Sequence, residues 1–326
     1  MTLPIRVAVI GGGIFGREHV SVYAGMPSVR LVAIVEPNEK RRLEWQRDPL
    51  AKTAKIFSSV AEMLAETKLD AASIVTPSKT RLHIATELMS AGVDVLVEKP
   101  FADSPEDAQK FAEVAAALGR KCLPGHLLRF SQGHQNLKTV ISQPAFGSVV
   151  GVTLSRNRSR ALISLYPDIH PAFLLGVHDF DLAIWLTARP VTEVSALEHR
   201  NSQGKVDYFV AHCLHNGGAI STIQVSCLLS EGDPAQVDDS VSVFGTGRTA
   251  HLETASVDDE PQHFGFGIEN APLVAELQYF LDCVLKNQPS TLCTPEEGVH
   301  VVEIAQAVLR SASNGGEITR LRATNF

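Results

Sequence analysis

The chain lacks an apolar run long enough to cross a bilayer, so no membrane-spanning segment is expected. It also lacks a basic excess: 29 lysines and arginines stand against 36 acids, for a net charge of −7. A broad nucleic-acid surface needs clustered cations, so nucleic acid is not an expected partner. No two cysteines have the C-x-x-C spacing, and the five (Cys122, Cys213, Cys227, Cys283, Cys293) are odd in number. They read as buried thiols in a reducing compartment, not as a disulfide framework. There is no internal repeat, low-complexity segment or metal-ligand cluster, and no metal is expected. His212 and His215 sit in an alternating context that makes them strand residues, not a zinc pair. The first strand-like run begins at Ile5, leaving no room for a signal peptide, and a cytoplasmic protein is expected.

What is present is a long chain, 326 residues with 44% hydrophobic content, which favours two domains over one. From Ile5 to about Gly125, β-branched runs alternate with helical patterns. The strand candidates are "IRVAVI", "VRLVAIV", "KIF", "AASIVT", "VDVLVE" and "KCLPG", with helices beginning near Ile14, Asn38, Ser59, Thr80 and Ser104. Continuous apolar strands separated by helices imply an α/β fold with a parallel sheet buried on both faces. The stretch "DSPEDAQKFAEVAAALG" carries complete helix punctuation: Ser104 to cap, Pro105 at the first position, acids in the first turn, Gly119 to stop it.

After the first strand comes "VIGGGIFGREHV". Gly11, Gly13 and Gly16 match G-x-G-x-x-G: the first permits a tight turn, the second a pyrophosphate against the backbone, the third close helix–strand packing. The helix that opens there presents free N–H groups and the positive end of its dipole to phosphates. Glu36, at the end of the next strand, is placed to accept hydrogen bonds from ribose hydroxyls, which favours NAD over NADP. Arg41 and Arg42 follow and can meet a phosphate, but the simpler reading makes them solvated helix residues. At the end of the fifth strand, "VDVLVEKPFADSPEDA" puts Glu98, Lys99 and Pro100 at the carboxyl edge of the sheet, where ligands of open α/β sheets lie.

The Gly-rich turn, Thr76-Pro77 after the fourth strand and Glu98-Lys99-Pro100 after the fifth, in that order, resemble the Gfo/Idh/MocA family of oxidoreductases. "GVHDFD" resembles the family's second-domain helix motif, with His178 as its histidine. The resemblance implies an N-terminal Rossmann dinucleotide-binding domain (1–125) and a C-terminal α+β substrate-binding and oligomerisation domain (126–326) with a large, mostly antiparallel open sheet. It implies cofactor contacts from Gly11, Gly13, Ile14, Phe15, Gly16, Glu36, Thr76, Pro77, His83, Glu98 and Lys99, with a cis peptide before Pro100. It implies that Lys99 touches both cofactor and substrate. "GHLLRF" resembles the G-H-x-x-R-F of members that oxidise UDP-amino sugars, which makes His126 and Arg129 candidate substrate contacts.

"PAFLLGVHDFDLAIWL" reads as a core helix interrupted by His178, Asp179 and Asp181. Histidine titrates near working pH and suits the base that alcohol oxidation requires, although a histidine on an apolar helix is often a satisfied core residue. With the other motifs present, Lys99 and His178 are the expected catalytic pair. The family pattern places an aspartate one turn before this histidine, where this chain has Leu174; His170, at the helix entrance before Pro171, is the available substitute. Asp179 and Asp181 point to other faces, towards helix packing or the first domain. Upstream, Arg156, Arg158 and Arg160 alternate along one strand face. They are either a solvated edge or an anion clamp for phosphate or carboxylate, with Arg156 the candidate substrate contact.

Further on, "VTEVSALEHR", "KVDYFVAHCLH", "GAISTIQVSCLL" and "DDSVSVFGTG" alternate like antiparallel strands, and helices are expected over Pro272 to Leu285 and Pro295 to Ser311. One sheet face is left for another subunit, so a homodimer or homotetramer through the C-terminal sheet is expected. The implied activity is NAD(P)-dependent hydride transfer at a hydroxyl of a sugar, sugar acid, cyclitol or nucleotide-sugar. The alternatives are an NAD-dependent glycoside-cleaving enzyme of the same family and a non-catalytic NAD-binding regulator.

Overall fold

Apolar strand runs separated by capped helices build the first layer of the molecule, seen here in a computed structural model that describes residues 4–230, 237–253 and 271–322. The chain divides into two units, Met1–Phe130 with Phe264–Val299, and Ser131–His263 with His300–Phe326. In the first, the elements run β1 (Ile5–Ile10), α1 (Ile14–Gly25), β2 (Val29–Val35), α2 (Glu39–Gln46), β3 (Lys55–Phe57) and α3 (Val60–Glu66). Then follow β4 (Ala71–Ile74), α4 (Ser78–Ser90), β5 (Asp94–Glu98), α5 (Pro105–Leu118) and β6 (Cys122–Gly125). All six strands pair in parallel in the order β3-β2-β1-β4-β5-β6. The chain reverses its direction of travel across the sheet between β1 and β4, and the crevice for a ligand lies at the carboxyl ends there.

The expected punctuation of α5 is present: Ser104 Oγ accepts the Asp107 N–H at 3.1 Å, and Gly119 closes the helix at φ +60°. In the second unit come α6 (Gln132–Ile141), β7 (Val149–Ser159), α7 (Ala161–Leu165), a π-helical turn (Ala172–Gly176) and α8 (Val177–Thr187). Strands β8 (Val191–Arg200), β9 (Val206–His215), β10 (Ile220–Leu229), β11 (Val237–Gly245) and β12 (Thr249–Glu253) complete most of its sheet. Helices α9 (Ala271–Leu285) and α10 (Pro295–Ser313) and the short β13 (Thr319–Arg320) end the described chain. The seven strands run β12-β11-β7-β10-β9-β8-β13, antiparallel throughout except for the β7–β10 pair.

The second unit begins after Phe130, and the first takes α9 back from the C-terminal half. The reason is packing: Leu273, Leu277, Phe280 and Leu281 recur at helical spacing and are buried in one core with Val7, Val20, Tyr23 and Ile34. The chain therefore crosses between units more than once, where a single cut at 125 was expected.

Candidate active site

The glycines after β1 separate into two kinds. A Cβ on Gly11, which sits at φ +108°, would crowd the Val75 carbonyl, and one on Gly16 would collide with the Gly11 carbonyl oxygen. Both are required by the fold itself. A Cβ on Gly13 meets nothing within 4 Å, although Gly13 opens α1. The bare backbone at Gly13 thus faces open space at a helix N-terminus, an arrangement that fits a dinucleotide's pyrophosphate. Beside it Ile14 is 79% exposed, while Phe15 is half-buried against His19 with ring centroids 5.3 Å apart.

Glu36, at the end of β2, is buried, and two backbone amides hold its carboxylate: Gly12 N–H to Oε2 at 3.1 Å and Asn38 N–H to Oε1 at 2.9 Å. Trp45 donates to the Gly12 carbonyl at 3.0 Å and braces the same turn. Of the two arginines expected to be solvated, Arg42 donates to the Glu36 and Pro37 carbonyls, and Arg41 stands 3.8 Å from the Glu36 carboxylate.

The E-K-P segment is held from both sides. Glu98 is buried; its Oε2 accepts the Lys99 N–H at 3.1 Å, and its Oε1 meets His19 Nε2 at 3.2 Å. Arg81, on α4, donates to the carbonyls of Glu98 and Pro100 and, at 2.7 Å, to that of Thr76. One guanidinium so joins the T-P turn to the E-K-P turn, and burial lowers its pKa to about 10. The Lys99–Pro100 peptide is cis. Pro77 precedes α4, whose second turn carries the exposed His83. Glu98 pairs with Gly125 across β5 and β6, so Lys99 and His126 are the first residues beyond the ends of two neighbouring strands. His126 is buried there, while Lys99 is half-buried. Neither His19 nor Arg81 was singled out from sequence; both lie at helical positions whose partners are distant in the chain.

Arg129, the candidate substrate contact in the GHLLRF stretch, lies in the interior of the first unit. Its guanidinium is fully buried, bonded to both Glu297 carboxylate oxygens at 3.0 Å and to the Leu292 carbonyl, so its charge is matched inside the first unit.

In the second unit, the stretch before α8 is not α-helical. Residues Ala172–Gly176 form a π-turn, whose i→i+5 bonding widens the helix just before His178. A Cβ on Gly176 would press on the Phe209 and Phe180 rings, which shows how closely β9 backs this turn. His178 is half-buried at the start of α8. His170 does stand at the helix entrance. Its Nδ1 accepts the Ala172 N–H at 3.0 Å, which leaves Nε2 with the proton to donate to Glu198 on β8 at 3.0 Å. Burial lowers its pKa against the pull of Glu198. His170 and Leu174 line a cavity of about 330 Å³ together with Tyr166, Arg200, Lys205 and Cys227.

The three alternating arginines at and just beyond the end of β7 are tied to the protein itself. Arg156 is buried and bidentate to Asp179 at 2.7 and 2.9 Å, with a third bond to Asp239 at 2.8 Å. Arg158 shares Asp239, at 2.5 and 2.8 Å, and Arg160 reaches the Leu228 carbonyl at 3.2 Å. Burial works against the Arg156 charge, but Asp179 and Asp239 outweigh it and raise its pKa. Arg156 therefore holds α8 to β7 and β11, and its own carboxylates occupy the positions an anion would take. Among the described residues no group of three or more His, Cys, Asp or Glu is gathered as for a metal ion, and no helix is long and apolar enough to cross a membrane.

Known proteins share this architecture from end to end. A family model described as an oxidoreductase family with an NAD-binding Rossmann fold matches residues 5–126, and the GFO/IDH/MocA C-terminal domain matches residues 134–251. UDP-N-acetylglucosamine 3-dehydrogenase of Acidithiobacillus ferrooxidans is 28% identical over 93% of this chain and 96% of its own. The NAD(+)-dependent scyllo-inositol 2-dehydrogenase of Bacillus subtilis is 24% identical over 95% of each. Among solved structures, GenD2 from gentamicin A biosynthesis, in complex with NAD, superposes with a TM-score of 0.85 at 25% identity, covering 99% of this chain and 98% of that one. The two matched models span well over half the sequence, and the chain belongs to the Gfo/Idh/MocA oxidoreductase family.

Proposed function

We propose that this protein is an NAD-dependent dehydrogenase that oxidises a CH–OH group of a sugar, sugar acid, cyclitol or nucleotide-sugar. The observation that carries the reading is Lys99: its backbone is anchored at the carboxyl end of β5, in the same sheet whose β1 turn exposes the bare backbone of Gly13. The named relatives act on substrates of these kinds, and neither glycoside cleavage nor regulation finds support among them. NAD is favoured over NADP because Glu36 presents a buried carboxylate at the ribose end, where a 2′-phosphate meets like charge. Arg42 is already engaged with two carbonyls.

When bound, the nicotinamide supplies the hydride acceptor. The Gly13 backbone and the first turn of α1 hold the phosphates; Glu36 holds the ribose. The Lys99 ammonium donates to the reacting oxygen and steadies its developing negative charge, while His178 takes the hydroxyl proton. His126, next to Lys99 across the strand pair, and His170, with the cavity beside Leu174, contact the substrate's other hydroxyls. The exposed face of the second sheet pairs two or four copies.

A panel of UDP-sugars, sugar acids, aldoses and inositols, each offered NAD or NADP and followed at the NADH absorbance, tests the reading. One class is expected to turn over with NAD, and Lys99→Ala and His178→Ala each to lose about a hundredfold or more in kcat. Undiminished turnover in both variants rejects the roles given to these residues.

A further inference from the structure

His19 is the most deeply buried titratable residue at the cofactor edge, fully enclosed on α1, and sequence motifs assign it no task. Its Nδ1 has no hydrogen-bond partner among the described residues. Burying a polar atom unmet is unfavourable, so an apolar residue here would stabilise the local core unless the other nitrogen does something an apolar residue cannot. The other nitrogen, Nε2, meets Glu98 Oε1 at 3.2 Å. Glu98 Oε2 in turn accepts the backbone N–H of Lys99 at 3.1 Å. With His19 donating, each oxygen of this buried carboxylate receives one hydrogen bond, and removing the imidazole leaves it, among the described residues, with the hydrogen bond from the Lys99 N–H.

Two further features confine the carboxylate to this role. A Cβ on Gly125 would lie 3.1 Å from Glu98 Oε1, so the neighbouring strand leaves room for this side chain and no more. Arg81 fixes the carbonyls of Glu98 and Pro100 on either side of the lysine. The Lys99 N–H is thus tied to α1 through the Glu98 carboxylate. His19 also lies one turn beyond Phe15, against its ring, in the helix that opens at the glycine turn.

We infer that His19 is a positioning residue for Lys99, acting through Glu98, and that it links the helix at the dinucleotide turn to the lysine at the reacting end. The inference rests on the reading of Lys99 as the residue that meets the reacting oxygen. The test compares wild type with His19→Gln, which keeps an N–H donor towards Glu98, and His19→Leu, which removes it. Reductive methylation with formaldehyde, quantified at Lys99 by peptide mass spectrometry across a pH series, reads the lysine's environment without any substrate. NADH binding is followed by fluorescence, and kcat and KM are measured on the best substrate of the panel.

In His19→Leu the methylation rate at Lys99 is expected to change roughly tenfold and its pH profile to move, while other lysines label as before. kcat is expected to fall by roughly ten- to a hundredfold with the KM for NAD little changed, as a misplaced group does. His19→Gln restores both. A purely structural role would lower the melting temperature and leave the Lys99 profile where it was; that result, in a folded protein, overturns the proposal. If His19→Leu does not fold, Glu98→Gln carries the same test, and an unchanged Lys99 profile there also overturns it. If no panel member turns over but the Lys99 profile moves, the dehydrogenase reading fails and the positioning stands.

Discussion

A buried charge is costly unless its partner is in place, and Arg156 shows how this molecule meets the requirement. Asp179, which looks out of place among phenylalanines and leucines in the sequence, is one half of a bidentate ion pair enclosed in the second unit. Arg156→Met leaves Asp179 without its guanidinium, and urea unfolding is expected to show a loss of about 3–5 kcal/mol. Adding Asp179→Leu to that variant should recover much of the loss; if the double variant is no better than the single, the pair is not the reason for the destabilisation. Two histidines of the same unit give a pH dependence. Burial pushes His134 and His215 down to about 4, and for His134 the Arg156 charge adds to it. A histidine with a folded-state pKa below its unfolded value of about 6.5 binds more protons when unfolded. Stability is therefore full above pH ~6.5 and falls towards pH ~4, by about 3 kcal/mol for each histidine. Denaturant titrations at pH 7.5 and 4.5 check this, and equal midpoints at the two values would contradict it.

The helices and strands of the first unit are set by local punctuation, and the glycine turn shows how element and ligand divide the work. Gly16→Ala forces a Cβ onto the Gly11 carbonyl and is expected to destabilise β1–α1 packing, seen as a clear drop in melting temperature. Gly13→Ala meets no protein atom, so its melting temperature should match wild type. Its NADH affinity, by fluorescence titration, should fall by about tenfold or more, because the methyl group takes the space a phosphate approaches and weakens hydrogen bonds to a charged group. Equal NADH affinity in Gly13→Ala and wild type would remove the turn from the binding site. Strand runs, caps and this turn were legible in the sequence because each depends on residues within a few positions. The π-turn at Ala172–Gly176 was not, since the pattern Pro171 to Leu186 reads as ordinary helix and the widening coincides with a close approach of Phe209 from β9.

At the scale of the whole molecule, the second sheet alternates along β9 from Asp207 to His215 and along β10 from Ile220 to Val225, one face buried and the other more open. On the open face Leu214, Ile220, Gly151 and Phe244 form one cross-strand row. Ile220 is 52% and Phe244 42% exposed there, and Leu197 on β8 is 57% exposed. A row of large apolar groups in water is a surface that self-association buries. The Ile220→Glu, Phe244→Glu double variant is expected to keep its circular dichroism and fall to a smaller mass by light scattering. An unchanged mass would reject the proposed assembly through this face.

The sequence by itself determined which segments are strands and helices, where the dinucleotide turn lies, and the order of the motifs that mark the family. These depend on short-range periodicity, on glycine's missing Cβ and on capping side chains. Only the tertiary structure decided which charges are ligands-in-waiting and which are ties. Arg156 meets carboxylates 23 and 83 residues away, Arg129 meets Glu297 168 residues away, and His19 meets Glu98 79 residues away. No local pattern specifies such pairings, because burial and electrostatic matching operate on distance in space and are blind to separation along the chain.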